Sequence, residues 1–290
     1  MDDLADRLHR HVDRLAGLIG PRHHGRPQAL EAAVRLIETE FSAAGYRVER
    51  ETYVAGGREV SNLVAELKGE GPGVVVAGAH YDTVPSTPGA DDNASGVAVL
   101  LEVARLLRDH RPGCTLRFVA FACEEMPFFT TQEMGSRVHA RGCRARGEKV
   151  VGMLSLEMLG YYTTAPQQLP AAIPGWLRWM FPKTGDFLAA VGNLGSGGLL
   201  RRFKRGFRRA TELPLFGRCL PEALGEIRLS DNSSFWDQGY PALMVTDTSF
   251  LRNPHYHEPT DTPETLDYGR MAKAALGLAG AVQEIGAARP

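Results

Sequence analysis

Short apolar runs that each end in a charged residue constrain this chain most. Val74–Gly78 is an uninterrupted apolar run of strand length, and Val150–Leu156, broken only by Ser155, is a second buried strand. Runs this short, without alternation, mark strands buried on both faces, as in a parallel sheet. Thr115–Ala122 reads as a third strand, and residues 186–191 and 242–245 as two more. Helical spacing fills the gaps. Leu4, Leu8, Val12, Leu15 and Leu18 share one face up to Ile19, before Gly20-Pro21. Leu30, Val34, Ile37 and Phe41 share another before Gly45, a C′ glycine. Residues 94–107, 135–141 and 268–285 are further helices. Residues 47–54 and 60–67 flank Gly56-Gly57 and read as a hairpin. Strands alternating with helices predict an α/β fold: one three-layer α/β/α domain over residues 1–290 with a mixed, mostly parallel sheet. The stretch 161–228, rich in Pro and Gly and carrying Trp176 and Trp179, reads as a lid-like insertion over that sheet.

Composition excludes several classes. Lys and Arg number 33 against 34 Asp and Glu, a net charge of −1, so nothing marks a nucleic-acid binder. No run approaches the roughly 20 apolar residues of a membrane helix. The opening Met1-Asp2-Asp3-Leu4 lacks a signal-type apolar core, and four cysteines are too few for a disulfide scaffold of this size. The expected location is the cytoplasm. Oligomeric state is not legible.

Five segments bring His, Asp or Glu to strand ends, where open α/β sheets place their sites. Gly78-Ala79-His80-Tyr81-Asp82 offers an imidazole ligand and a carboxylate able to accept the other ring N–H. A loop His beside an unrelated Asp explains that segment alone about as well. Gly89-Ala90-Asp91-Asp92-Asn93 precedes a helix; an acidic N-cap accounts for one carboxylate, not two. Cys123-Glu124-Glu125 puts adjacent carboxylates among apolar neighbours, which is costly without a cation. Glu157 ends an apolar strand, and Pro254–Thr262 holds Tyr256, His257 and a pair of acids. Carboxylates with a few imidazoles suit hard or borderline divalent ions. Five ligands plus a spare Glu suggest two ions sharing one carboxylate, with the Glu as general base.

In this order and spacing the motifs resemble the co-catalytic di-zinc exopeptidase family of the bacterial leucyl aminopeptidases, metallopeptidase family twenty-eight, over about residues 19–267. The resemblance implies two divalent ions, expected to be zinc. It implies His80 and Glu157 on the first ion, Glu125 and His257 on the second, and Asp92 bridging them. Glu124 would be the general base, Asp82 the residue orienting His80, and Asp91 structural. In some relatives a Tyr before the last His donates to the developing oxyanion, a role that falls to Tyr256. The family also carries a cis peptide after the bridging Asp, here Asp92–Asn93. Glu157 stands where well-known members have Asp, and Asn232 where Ser-Asp-His is common.

The resulting expectation is hydrolysis of amino-terminal residues from peptides with a free N-terminus. Alternatives are a glutaminyl-cyclase-like acyltransferase, an amidohydrolase acting on a non-peptide amide, and an inactive binding module; retention of every ligand argues against the last. Trp176, Trp179, Phe181 and Phe250 are candidates for a hydrophobic side-chain pocket. The basic run within residues 201–209 reads as a solvated helix face, and Cys123 as a buried apolar residue rather than a nucleophile.

Overall fold

The computed structural model describes residues 1–166, 169, 175, 179 and 181–287. In chain order the helices and strands are α1 (Asp2–Val12), α2 (Pro27–Ala43), β1 (Val48–Ala55), β2 (Arg58–Leu67), β3 (Gly71–His80), α3 (Gly96–Leu107), β4 (Cys114–Phe121), α4 (Gly135–Ala145), β5 (Lys149–Glu157), β6 (Thr163–Pro166), β7 (Thr184–Gly185), β8 (Leu188–Asn193), α5 (Gly197–Ala210), β9 (Leu215–Leu220), α6 (Asn232–Trp236), β10 (Ala242–Thr246) and α7 (Tyr268–Gly286). Eight strands form one sheet in the order β1-β2-β4-β3-β5-β10-β8-β9, and β6 pairs with β7 separately. The pairs β4–β3, β3–β5, β5–β10 and β8–β9 are parallel. The hairpin β1–β2, its junction with β4, and the pair β10–β8 are antiparallel. The sheet is therefore mixed and mostly parallel, as the alternating pattern predicts.

Uninterrupted apolar strands are needed because both faces are covered. Along β3, Val75, Ala77 and Ala79 enter the larger core with α1, α2, α3, α5 and α7. Val74 and Val76 face the smaller core beneath α4 and α6. β4 alternates likewise: Leu116, Phe118 and Ala120 on one side, Val119 and Phe121 on the other. Among the described residues no helix is long and apolar enough to cross a membrane.

Two expectations change. The first helix ends at Val12 and continues as a wider, π-type turn, Asp13–Ile19, to Gly20. The segment 161–228 is not wholly laid over the sheet. Its later part supplies β8 and the edge strand β9, with α5 between them. Leu199, Leu200, Phe203 and Phe207 of α5 join the larger core, while Arg205 and Arg209 reach Glu284 of α7 at 2.7 and 3.0 Å. The basic run is thus the solvated side of a structural helix.

Candidate metal centre

The predicted ligands come together because each sits at the carboxyl end of a strand or in a turn facing one. His80 and Glu157 are the last residues of β3 and β5, while Glu124 and Glu125 follow β4. Asp92 lies in the turn leading into α3, and His257 in the loop after β10. His80 Nε2 is 3.4 Å from both Asp92 Oδ1 and Glu157 Oε2. His257 Nε2 is 3.0 Å from Asp92 Oδ2 and 3.5 Å from Glu125 Oε1. The two oxygens of Asp92 thus face different imidazoles. Glu124 Oε2 stands 4.0 Å from His80 Nε2, and with His80 and Glu125 it forms one of three candidate ligand groups among the described residues. The others are His80–Asp92–Glu157 and Asp92–Glu125–His257, and each group gathers ligand atoms within 4.8 Å of one another. Buried anions at this density are costly without a cation, and the imidazole and carboxylate donors suit zinc-like divalent ions.

Electrostatics follow from crowding. Burial opposes protonation of His80, but Glu157 and Glu124 overcome it and raise the imidazole well above its ordinary value. His257 is likewise raised to about 10, against burial, by Asp92 and Glu125. Asp92 is held below the usual carboxylate range by His257 and His80, although burial alone would raise it. Burial raises Glu125 to about 7, with Asp92 adding to it. Burial also lifts Glu124 well above its ordinary value; His80 opposes this and Glu125 and Glu157 reinforce it.

The supporting shell is built on backbone amides. Asp82 was expected to orient His80 through its carboxylate. His80 Nδ1 is 3.2 Å from the Asp82 carbonyl oxygen and 3.7 Å from the carboxylate, so Asp82 faces the His80 ring with both groups. Both carboxylate oxygens accept N–H groups, from Glu124 and Glu125, each at 3.1 Å. The same device recurs at Asp261, which accepts the N–H groups of Asp91 and Asp92 at 2.9 and 3.1 Å. Asp91 is structural, as expected: it accepts from Gly160 N, Ser95 Oγ and Asn253 Nδ2. The Asp92–Asn93 peptide is cis. Asn93 ties the turn to β5 by donating to Leu156 O and accepting from Met158 N. Ser230 Oγ donates to Glu157 Oε2 at 2.7 Å, and Asn232 donates to Ile227 O rather than facing the cluster.

Sequence reasoning gave no role to Arg22, Asn93 or Asp261. Arg22 is fully buried and donates to the carbonyls of Tyr81, Pro88 and Gly89, bracing the two turns that carry His80 and Asp92. The one available signal was an Arg and an Asp beside glycines and prolines next to ligand motifs.

A cavity of about 300 Å³ opens over the cluster. Tyr256 lies on its wall, stacked on His257 with ring centroids 3.8 Å apart. Phe181 and Phe250 line it as expected, Trp179 is exposed and outside it, and Trp176 lies outside the described residues. Cys123 is buried with its thiol pushed up by burial, contrary to what a nucleophile needs.

Comparison with known proteins places these features in context. The sequence model of peptidase family M28 matches residues 62–282. The uncharacterized protein YfbL of Escherichia coli K12 is 37% identical over 282 residues, covering 94% of this chain and 86% of YfbL. Leucine aminopeptidase 1 of Trichophyton rubrum is 29% identical over 239 residues, 77% of this chain but only 57% of the fungal protein. Among solved structures, a zinc aminopeptidase from Bacillus subtilis superimposes with a TM-score of 0.73 at 16% identity, covering 96% of this chain and 94% of its own. Fimbriiglobus ruber glutaminyl cyclase gives 0.70 at 20% identity, covering 97% and 95%. At such identities the likeness is one of fold.

Proposed function

The chain belongs to peptidase family M28, and from that premise we propose that it is a single-domain metallo-aminopeptidase using two divalent ions, most simply zinc. The observation that carries this reading is Asp92, whose oxygens lie 3.4 and 3.0 Å from the imidazoles of His80 and His257 in an acid-lined cavity. His80 and Glu157 would hold one ion, Glu125 and His257 the other, and Asp92 both. Bound there, such ions polarise a carbonyl and acidify water.

The remaining chemistry belongs to the chain. Glu124, raised well above the ordinary carboxylate value, accepts a proton from the attacking water and returns it to the leaving amine. Tyr256 donates its O–H to the carbonyl oxygen as charge develops there. Asp82 holds Glu124 and Glu125 in register through their amides. Among the described residues the cavity wall has no Lys or Arg, so it suits a free amino terminus beside Glu157 and Glu124 better than a carboxyl terminus.

Glu124→Gln should lower kcat for a leucyl anilide by about 100-fold or more, with metal content by elemental analysis unchanged. Chelation should abolish the wild-type activity and zinc restore it. Intact turnover by Glu124→Gln would refute the mechanism. An amino-terminal glutaminyl peptide separates the reactions: hydrolysis frees glutamine, whereas cyclisation releases ammonia and leaves a blocked peptide.

A further inference from the structure

Strand register gives the cavity a direction. Glu157 pairs with Thr246, Thr246 with Ala189, and Ala189 with Phe216, so one cross-strand row runs from β5 over β10 and β8 to β9. Met244 and Val191 form part of the next row, two residues back on the same face. Thr246, Ala189, Phe216, Met244 and Val191 all line the cavity into which the candidate ligands open. Three inter-strand steps of about 4.8 Å make this floor roughly 14 Å long. A leucyl side chain beside Glu157 covers little of it. An apolar cavity of about 150 Å³ accepts a benzene ring, and this one measures about 300 Å³.

The floor also selects the kind of group. Main-chain polar groups of β8 are used in pairing with β10 and β9. A peptide backbone laid across the row would leave its own amides unpaired, whereas a hydrocarbon has none to satisfy. No Lys or Arg lines the described wall, and Glu226 adds a further negative charge, so an anionic end group is disfavoured. Ala189 keeps the middle of the floor low, and Phe216, with Phe181 5.3 Å away, closes the far end.

Resting on the aminopeptidase reading, we infer that this groove is an extended side-chain subsite, and that the enzyme prefers amino-terminal residues carrying straight aliphatic side chains longer than that of leucine.

Anilides of leucine and of straight-chain 2-aminohexanoic, 2-aminooctanoic and 2-aminodecanoic acids test this on the zinc-loaded protein. The expected kcat/KM rises by up to about fourfold per added methylene until the groove is filled. Ala189→Phe should cut the ratio of long-chain to leucyl kcat/KM at least about tenfold. A profile flat or falling beyond leucine overturns the inference while leaving the aminopeptidase reading intact. An unchanged ratio in Ala189→Phe overturns it as well. Should that variant fail to fold, or leucyl anilide itself resist hydrolysis, calorimetric titration of the wild-type zinc protein with the matching 2-amino hydroxamates decides. A Kd falling steadily with chain length supports the groove, and a constant Kd refutes it.

Discussion

Asp82 and Asp261 set the position of three acids of the candidate metal site, Glu124, Glu125 and Asp92, and of the structural Asp91. Each spends both carboxylate oxygens on consecutive backbone N–H groups, Asp82 on Glu124 and Glu125, Asp261 on Asp91 and Asp92. An Asn at 261 keeps the shape but turns one acceptor into an N–H₂ donor facing an amide N–H, leaving a buried donor unpaired. Asp261→Asn should therefore weaken zinc binding and lower kcat/KM by about 10- to 100-fold each. A zinc titration monitored alongside turnover checks this; lost turnover with unchanged zinc affinity would place Asp261 in the chemistry instead. The candidate ligands were legible in sequence because a charge closing an apolar strand is conspicuous. The work of Asp261 was not: it acts on amides 170 positions earlier, and only the folded sheet end brings them together. Asp82 was legible as important beside His80, whose Nδ1 lies 3.7 Å from its carboxylate, but its amide partners were not. Its nearest neighbour in sequence is His80, whereas its hydrogen bonds go 42 and 43 positions on.

The contact between α5 and α7 shows what individual elements demand. A Cβ at Gly206 would lie 2.3 Å from Gly280 O and 2.7 Å from Ala281 Cα, both backbone atoms. The helices could accept it only by separating, and Phe203 and Phe207 would lose packing in the larger core. Gly206→Ala should destabilise the protein by about 1–3 kcal/mol. Gly198, on the same helix, has open space where its Cβ would go. Gly198→Ala should instead gain about 0.5–1 kcal/mol by removing backbone freedom from the unfolded chain. Urea midpoints of the two variants test the pair, and equal shifts of one sign would refute the contact. Elements with one strong pattern, such as β3, β5, α3 and α7, were legible because burial on two faces or one stripe writes itself into the sequence. β9 was not. It is an edge strand with Gly217 and Arg218 in its middle, half-buried for most of its length, so no apolar run marks it. The basic side of α5 similarly hid the strand-helix-strand unit that completes the sheet.

Two opposed sets of buried acids govern how the whole molecule responds to pH. Glu102 of α3 accepts from Arg7 and His11 of α1 and from Arg105. Burial alone would raise its carboxyl, but His11 and Arg105 outweigh burial and bring it to about 2, from an ordinary 4.5. Its folded value lies below its unfolded one, so its stabilisation is complete above about pH 4.5 and fades between there and pH 2. Asp231, Asp247 and Asp261 behave oppositely. Burial raises them to about 7, 6 and 7, so the folded state holds protons there that the unfolded chain has released. Their contribution is greatest at low pH and declines as pH rises from about 4 through 7. With three such acids against one, the falling slope outweighs the rising one from about pH 3.5 upward, so the chelated protein should show its highest Tm near that pH. Bound zinc displaces protons from its ligands, so its stabilising effect should grow with pH and move the maximum toward neutrality. Calorimetry from about pH 3 to 8, with and without chelator, checks both arms. Glu102→Gln discriminates further: it should lower Tm at pH 7 by the equivalent of about 2 kcal/mol, while the loss shrinks as pH drops below 4.5. A loss that stays constant down to about pH 2.5 would mean that the fastening of α1 to α3 is steric rather than ionic.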